Sequence, residues 1–157
     1  MATGTPALVE LKRLGISFEI REYDHDPAAP SFGLEAAEKL GLPADQIFKT
    51  LVADVDGAHV VAIVPVNHQV SLKLLAKAVG GKKAAMADPA IAQRITGYVV
   101  GGISPIGQKK KLTTVLDETA ELFDTVLVSG GRRGLDIELA PSDLVRATDA
   151  IIAEIAD

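Results

Sequence analysis

Residues 47–65 read IFKTLVADVDGAHVVAIVP and predict a β-hairpin. The two halves, Ile47–Asp54 and His59–Pro65, are rich in aliphatic and β-branched residues that favour strands. Asp56-Gly57 lies between them, and this dipeptide favours the two-residue turn that joins antiparallel strands. We therefore expect two antiparallel strands joined by a tight turn.

Lys49 interrupts the apolar pattern of the first predicted strand. Leu51 and Ala53 lie on the same face as Lys49. Phe48 and Val52 make the other face apolar too, so we expect this strand to be covered on both sides. A lysine in that setting must line a cleft or find partners, because an unpaired buried ammonium is costly. The alternative is a lysine on an edge strand that reaches water, and the pattern leaves both interpretations open.

Capping and turn signals predict the elements around the hairpin. Helices are expected between Pro6 (capped by Thr5) and Gly15, at Gly33–Leu40, at Leu72–Val79 after the cap Ser71, from Pro89 to about Ile95, and from Pro141 onward with an interruption near Thr148-Asp149. Strands are expected at Ile16–Glu22, Thr113–Leu116, Thr125–Ser129 and Leu135–Leu139. This mixed order predicts a single α/β (α+β) domain over residues 1–157 with a mixed sheet.

Composition indicates a globular protein. The chain has 157 residues, 48% of them hydrophobic, which excludes disorder. No apolar run reaches the roughly 18 residues of a membrane span, and the N-terminus lacks a signal-peptide pattern, so we expect a cytoplasmic protein without a membrane partner. Cysteine is absent, which excludes disulfides, thiolate metal ligands and a cysteine nucleophile. His25, His59 and His68 lack metal-binding spacing, so we expect no metal and no cofactor, with His25 a hydrogen-bonding loop residue.

Net charge argues against a general nucleic-acid binder. The formal charge is −5, whereas affinity for phosphates requires clustered cations. Some cations are nevertheless clustered, in Lys109-Lys110-Lys111, Arg132-Arg133 and Lys82-Lys83. We expect a local basic rim on an acidic body. Plain solvated lysines are an equal alternative for Lys82-Lys83.

The segment Gly101-Gly102-Ile103-Ser104-Pro105 is a candidate ligand loop. Two glycines would let a ligand approach bare backbone N–H groups, and Pro105 would stiffen the end of the loop. Aligned N–H donors stabilise the negative charge of carbonyl or phosphate oxygens. On its own, the segment is more typical of a simple turn.

Three further segments accompany this loop: Tyr23–Pro27 followed by Phe32-Gly33, Phe48–Leu51, and Val128–Asp136. Thr96-Gly97-Tyr98 and Gln108-Lys109-Lys110 flank the loop itself. In this order and spacing the set resembles the YbaK family of freestanding aminoacyl-tRNA editing domains, from about Pro6 to the C-terminal helix. The resemblance implies a barrel-like mixed sheet with flanking helices. It also implies hydrolysis of the ester that joins a wrongly attached amino acid to the 3′ end of tRNA.

The resemblance assigns roles to individual residues. It implies a catalytic set of Lys49, Gly101 and Asp136. It implies substrate-binding roles for Tyr23, Phe32, Thr50, Gly102, Ile103, Ser104, Pro105, Ser129 and Gly130. By pattern alone, Tyr23 and Phe32 could equally anchor their loop, and Thr50 could bond a backbone carbonyl. Asp136 could be a solvated surface acid, because its neighbours Leu135 and Ile137 alternate inward.

Lys49-Thr50 favours cysteine as the released amino acid, so the resemblance implies trans-editing of Cys-tRNA(Pro). The nucleophile would be water or the thiol of the substrate's own cysteine, the latter making the reaction lyase-like. The expected partners are the tRNA acceptor end, which the basic rim suits better than a long duplex, and prolyl-tRNA synthetase for delivery. Two alternatives stay open: a non-catalytic module that binds aminoacyl-tRNA, and a deacylase of a different mischarged tRNA.

Overall fold

Two β-sheets joined by a short bridge form the frame of the molecule. The computed structural model describes residues 4–29 and 31–157. Its strands are β1 (Glu19–Glu22), β2 (Phe48–Val55), β3 (Ala58–Pro65), β4 (Ala84–Met86), β5 (Thr113–Asp117), β6 (Val126–Arg132), β7 (Leu135–Leu139) and β8 (Ile151–Ala153). Its α-helices are α1 (Pro6–Arg13), α2 (Phe32–Leu40), α3 (Leu72–Ala78), α4 (Pro89–Thr96) and α5 (Pro141–Thr148), and short 3₁₀ helices span Ala44–Gln46 and Glu118–Leu122.

The larger sheet is mixed and has the order β4-β2-β3-β5-β8, in which β5 runs parallel to both β3 and β8. The smaller sheet, β1-β7-β6, is antiparallel. A parallel bridge between Ile47 and Leu127 connects the start of β2 to β6. The predicted mixed, barrel-like α/β fold is confirmed.

The hairpin predicted from residues 47–65 is confirmed. β2 and β3 pair from Phe48 opposite Pro65 to Val55 opposite Ala58. Asp56 and Gly57 both have positive φ, 51° and 90°, as the favoured hairpin turn requires. The turn is also held by a side chain of β2, since the Gly57 N–H donates to Asp54 Oδ1 at 2.8 Å.

The predicted helix caps are confirmed as well. Thr5 and Ser71 each accept a backbone N–H from the first turn of the following helix, and Asp88 does the same at the start of α4. Ser31, which was not predicted as a cap, accepts the Leu34 N–H at the start of α2. These bonds satisfy donors that a helix N-terminus otherwise leaves without partners.

Two sequence-based expectations for the secondary structure are wrong, and the short strand β4 was missed. β1 begins at Glu19 rather than Ile16, because the Ile16 N–H donates to the Leu11 carbonyl and so belongs to the end of α1. The C-terminal stretch is not helical throughout: Asp149 takes a left-handed conformation, and β8 follows it. β4 was not foreseen, since three residues are too few for a strand pattern and their pairing comes from a distant part of the chain.

Hydrophobic packing covers both faces of β2, as expected. Phe48 and Val52 lie in the main core between the sheets, which α1 and α5 help to close. Ala53 and Val55 belong to a second cluster beneath α3. A third cluster packs α2 against Ile47 and the bridge between the sheets. Within the described residues, no helix is long and apolar enough to cross a membrane.

Candidate active site

A cavity of about 400 Å³ opens beside the first half of β2, within the size range of small-molecule sites. Its position follows from the pairing of that strand. On the side of β2 away from β3, β4 pairs only with Ala53–Val55, and the bridge to β6 is made at Ile47. The intervening stretch, Phe48–Val52, therefore lines the gap between the two sheets.

The structure brings together most of the predicted site residues. The cavity is lined by Tyr23, Phe32, Lys49, Thr50, Gly101, Ile103, Ser129 and Asp136. They come from separate parts of the chain, so the fold places the predicted motifs around one space. The other predicted residues, Gly102, Ser104, Pro105 and Gly130, do not line it.

Lys49 lines the cavity as a cation that lacks a counter-ion. None of the described carboxylates forms a salt bridge with it. Burial lowers the pKa of its ammonium group, because a partly desolvated cation loses hydration. A cation in this position is available to an anionic or strongly polar ligand.

Thr50 contributes the hydroxyl of an incomplete hydrogen-bond arrangement. Its Oγ1 is buried and has no hydrogen-bond partner among the described residues. A buried hydroxyl in a native fold normally has a partner, because desolvation without compensation is unfavourable. Thr50 also lines the cavity, so the missing partner is available from a bound ligand.

Asp136 is a buried acid in the cavity wall. It is 8% exposed, which shows that it is a cleft acid and not a solvated surface residue. Burial raises the pKa of its carboxyl to about 7. Leu135 and Ile137 point into the core, as predicted. Near neutral pH, Asp136 is therefore poised between its acid and base forms.

Tyr23 lies near this acid. Burial, followed by the negative charges of Asp136 and Glu35, raises the pKa of its phenol to about 12. The hydroxyl consequently keeps its proton at physiological pH and can donate a hydrogen bond into the cavity. Its backbone is fixed because the Tyr23 N–H donates to the Gly134 carbonyl at 3.0 Å.

Comparison with known proteins connects this cavity to a family. Residues 26–147 match the family described as aminoacyl-tRNA editing domains. The chain belongs to this family. The cavity that joins its predicted motifs is therefore the candidate active site of an editing domain.

Relatives of this editing domain include proteins named as deacylases. The chain is 45% identical over 120 residues to "Putative Cys-tRNA(Pro)/Cys-tRNA(Cys) deacylase EbsC" of Enterococcus faecalis, covering 76% of this chain and 73% of that protein. It is 34% identical over 115 residues to "Multifunctional Ser/Thr-tRNA deacylase ProXp-y" of Escherichia coli K12, covering 70% and 69%.

The fold of the editing domain also matches solved structures. One, titled "Crystal structure of a putative trans-editing enzyme for prolyl tRNA synthetase", superimposes with a TM-score of 0.85 at 25% identity, covering 97% of this chain and 95% of that one. A proline–tRNA ligase of Geobacter metallireducens is 33% identical over 122 residues, which cover 77% of this chain and 21% of the ligase. The same type of domain therefore occurs as a small part of a larger protein.

The glycine loop of the editing domain differs in detail from its prediction. The expectation of two bare N–H groups is wrong at Gly102, whose N–H donates to the Val99 carbonyl at 2.9 Å. A Cβ at Gly102 would also lie 2.8 Å from the Arg132 backbone. This glycine is required by internal packing, because two backbone segments meet there without room for a methyl group.

Ser104 supports the loop from inside the protein. It is fully buried, its Oγ accepts the Ile106 N–H at 3.2 Å, and its carbonyl accepts from Gln108 at 3.0 Å. The Tyr98 hydroxyl donates to the Ile106 carbonyl at 2.6 Å. These bonds fix the far end of the loop, so that Gly101 and Ile103 keep their places in the cavity wall.

A buried glutamate that was not foreseen holds the Tyr23 loop. Glu35 of α2 accepts from His25 Nδ1 at 2.8 Å and from the Asp26 N–H at 2.7 Å, and it forms an ion pair with Lys39 at 3.2 Å. Burial acts to raise the pKa of Glu35, but these bonds outweigh it and lower the pKa to about 2. His25 is a loop hydrogen-bonding residue, as expected. The role of Glu35 could not be found from local pattern, because His25 and Asp26, whose loop it holds, lie in another segment.

The apolar half of the cavity was also missed from sequence. Its lining includes Gly33, Ala36, Val66, Met86, Ala87, Pro89, Ala92 and Val100. These residues are ordinary core types, and no local signal separates them from the rest of the core. Met86 belongs to the unforeseen strand β4.

Ion pairs neutralise two of the cations in the predicted basic rim. Lys111 pairs with Asp149, and Arg132 pairs with Glu22. Lys109 and Lys110 are exposed and form no ion pair within the described part of the chain. In residues 4–29 and 31–157, no group of three or more His, Asp or Glu side chains is arranged to hold a metal ion.

Proposed function

We propose that this editing domain hydrolyses the ester of mischarged Cys-tRNA(Pro) and releases cysteine from the tRNA 3′ end. One observation carries the proposal: a single cavity combines the Lys49 cation and the Thr50 hydroxyl, neither of which has a partner among the described residues, with the buried acid Asp136. Such a set provides polar contacts for the charged and hydroxylated end of an aminoacyl-tRNA.

Binding and activation of the ester follow from the positions of these groups. Lys49 would contact the terminal ribose or phosphate, since an ammonium is a compact partner for anionic oxygens. Backbone N–H groups of the loop beginning at Gly101, other than that of Gly102, which bonds the Val99 carbonyl, would stabilise the negative charge that develops on the ester carbonyl. The ester is already reactive, so orientation and this stabilisation supply most of the help required.

The nucleophile comes from water or from the substrate. With water, the oxygen bonds to the carbonyl carbon while Asp136 takes the proton. The ester C–O bond then breaks, and Asp136 returns the proton to the departing ribose oxygen. A carboxyl with a pKa of about 7 suits this proton transfer at neutral pH. With the substrate thiol, its sulfur bonds to its own carbonyl carbon, the ester C–O bond breaks, and the thiol proton passes to the departing ribose oxygen. Water later adds to the carbonyl carbon of the cyclic thioester and breaks its C–S bond, which restores the thiol.

The apolar lining supports cysteine over its hydroxyl analogue. Val52, Met86 and Ala92 are among the side chains that line the cavity. A thiol is a weak hydrogen-bonding group and loses little on entering such surroundings, whereas an unpaired hydroxyl loses more. The name of the Enterococcus faecalis relative, which includes Cys-tRNA(Pro), agrees with this choice.

Release of serine or threonine is a second candidate. The Thr50 hydroxyl could pair with a substrate hydroxyl, which would offset the cost of burying it. The Escherichia coli relative named as a Ser/Thr-tRNA deacylase is consistent with this alternative. Delivery of the tRNA by prolyl-tRNA synthetase is also part of the proposal, supported by the related domain within a proline–tRNA ligase.

The first experiment measures amino-acid release from Cys-, Ser-, Thr-, Ala- and Pro-tRNA(Pro). The wild type is compared with Lys49→Ala and with Lys77→Ala, a control at an exposed lysine of α3. We expect rapid release of cysteine alone, which only Lys49→Ala abolishes. Faster release of serine or threonine would replace the cysteine proposal with the second candidate. Binding of the aminoacyl-tRNAs without any turnover would instead identify a non-catalytic module.

A further inference from the structure

Side chains hold both backbone polar groups of Val100. Its N–H donates to Gln93 Oε1 of α4 at 2.9 Å. Its carbonyl accepts from Arg133 Nε at 2.9 Å and from Arg133 Nη2 at 2.6 Å. Val100 immediately precedes Gly101, and both residues line the cavity. A residue in the middle of a loop thus has both backbone polar groups fixed by distant elements.

Arg133 also contacts Phe32 of α2. Its guanidinium carbon lies 4.6 Å from the centre of the Phe32 ring, a cation–π arrangement. Gly101 fits between the two: an added Cβ would lie 2.6 Å from Phe32 Cδ2 and 2.8 Å from Arg133 Nε. Phe32, Gly101 and Arg133 therefore meet without room for a methyl group.

We propose that Arg133, together with Gln93, is a positioning residue that holds Gly101 and Phe32 in the cavity wall. This inference rests on the proposed deacylase function and adds to it two residues that act without touching the ester. The planar guanidinium bonds one carbonyl through two nitrogens while it stacks on a ring, which a lysine cannot reproduce.

An exposed arginine is well suited to a local role of this kind. Arg133 is solvent-exposed, so its contacts contribute little to the stability of the whole domain. Its effect is concentrated on the loop that it holds. A displacement of about 1 Å in a catalytic group can lower a rate by roughly 100-fold.

The test combines kinetics on Cys-tRNA(Pro) with amide hydrogen exchange of the Val100 N–H. Arg133→Met keeps the side-chain stem, and Arg133→Lys keeps the charge. Gln93→Met removes the acceptor for Val100, whereas Gln93→Glu retains it. Arg146→Met is the matched control, because Arg146 also donates to a backbone carbonyl, that of Leu14 at 2.8 Å, elsewhere in the fold.

We expect Arg133→Met to lower kcat by about 10- to 100-fold while KM changes by less than about 3-fold. Amide exchange of the Val100 N–H should accelerate in Arg133→Met and in Gln93→Met. Gln93→Met should also lower kcat, whereas Gln93→Glu should keep both the kcat and the slow exchange of the wild type. Arg133→Lys should restore only part of the rate. Arg146→Met should behave as the wild type.

Two outcomes would overturn the inference. One is unchanged kcat and unchanged exchange in Arg133→Met. The other is a raised KM at constant kcat, which would identify Arg133 as a direct tRNA contact. If the wild type releases no amino acid, the proposed function fails, and the exchange measurements still determine whether Arg133 and Gln93 hold the loop.

Discussion

Arg21 and Asp136 are direct cross-strand partners in β1 and β7, yet they form no ion pair. Arg21 binds Glu138 at 2.6 Å and approaches Glu19 at 3.7 Å. Asp136 is buried and forms no salt bridge with any cation of the described residues, and burial raises the pKa of its carboxyl to about 7. On this face of the β1-β7-β6 sheet, the Arg21–Glu138 ion pair therefore lies toward solvent, whereas Asp136 lies in the wall of the cavity.

Stability should fall as pH rises from about 4 to about 7 because of Asp136. In this range the Asp136 carboxyl keeps its proton in the folded state and loses it in the unfolded state. Each increase in pH therefore lowers the free energy of unfolding. The slope for this group is about 1.4 kcal/mol per pH unit. Urea unfolding of wild type and Asp136→Asn across this range should show the difference between them growing as pH rises. Parallel curves would contradict the assignment.

Glu35→Gln should destabilise the domain at pH 7 by roughly 2 kcal/mol. The pKa of Glu35 is lowered in the folded state, so its charge stabilises the fold above its usual pKa of 4.5 and this contribution disappears as pH falls toward 2. Unfolding curves at pH 7 and pH 3 provide the measurement. Glu38→Gln, at an exposed position of the same helix, is the control. An equal effect at both pH values would argue against this role of the Glu35 charge.

Thr50→Val should separate stability from activity. The substitution removes a buried hydroxyl that has no hydrogen-bond partner in the described part of the chain, so the free energy of unfolding should stay constant or rise by about 1 kcal/mol. Deacylation should nevertheless fall by about 10-fold if the hydroxyl contacts the substrate, and Thr50→Ser should recover it. As a control for stability, Thr114→Val removes a hydroxyl that donates to the Leu112 carbonyl at 3.0 Å and should cost about 1 kcal/mol. Full activity of Thr50→Val would show that the Thr50 hydroxyl makes no functional contact with the substrate.

Gly101→Ala should destabilise the domain more than Gly57→Ala. Both glycines have φ near 90°, but a Cβ at Gly57 would meet no atom within 4 Å, whereas one at Gly101 would collide with Phe32. Backbone strain alone should cost about 1 kcal/mol at Gly57, and we expect at least about twice that at Gly101. Thermal unfolding of the two variants measures the difference. Equal losses would mean that Phe32 moves aside without cost.

Local signals were sufficient for much of the fold. Asp56-Gly57 predicted the hairpin turn, and the caps Thr5 and Ser71 predicted two helix starts, because such bonds involve residues a few positions apart. β4 and β8 were not predicted, because a strand of three residues is defined by the strand with which it pairs and not by its own hydrophobic pattern. The motifs around Lys49 and Gly101 indicated the family, and the family model matches 122 consecutive positions, residues 26–147.

The hairpin, the starts of most helices, the family and the residue types available for chemistry are predictable from the amino-acid sequence. Three features of the site became visible with the fold: Asp136 is a buried cleft acid, Thr50 has no hydrogen-bond partner among the described residues, and Arg133 bonds the loop before Gly101. They could not be predicted because the segments involved are far apart along the chain. Burial and pairing depend on segments about 30 to 110 residues apart, such as Arg133 with Val100 and Arg132 with Glu22, whose meeting no local pattern encodes.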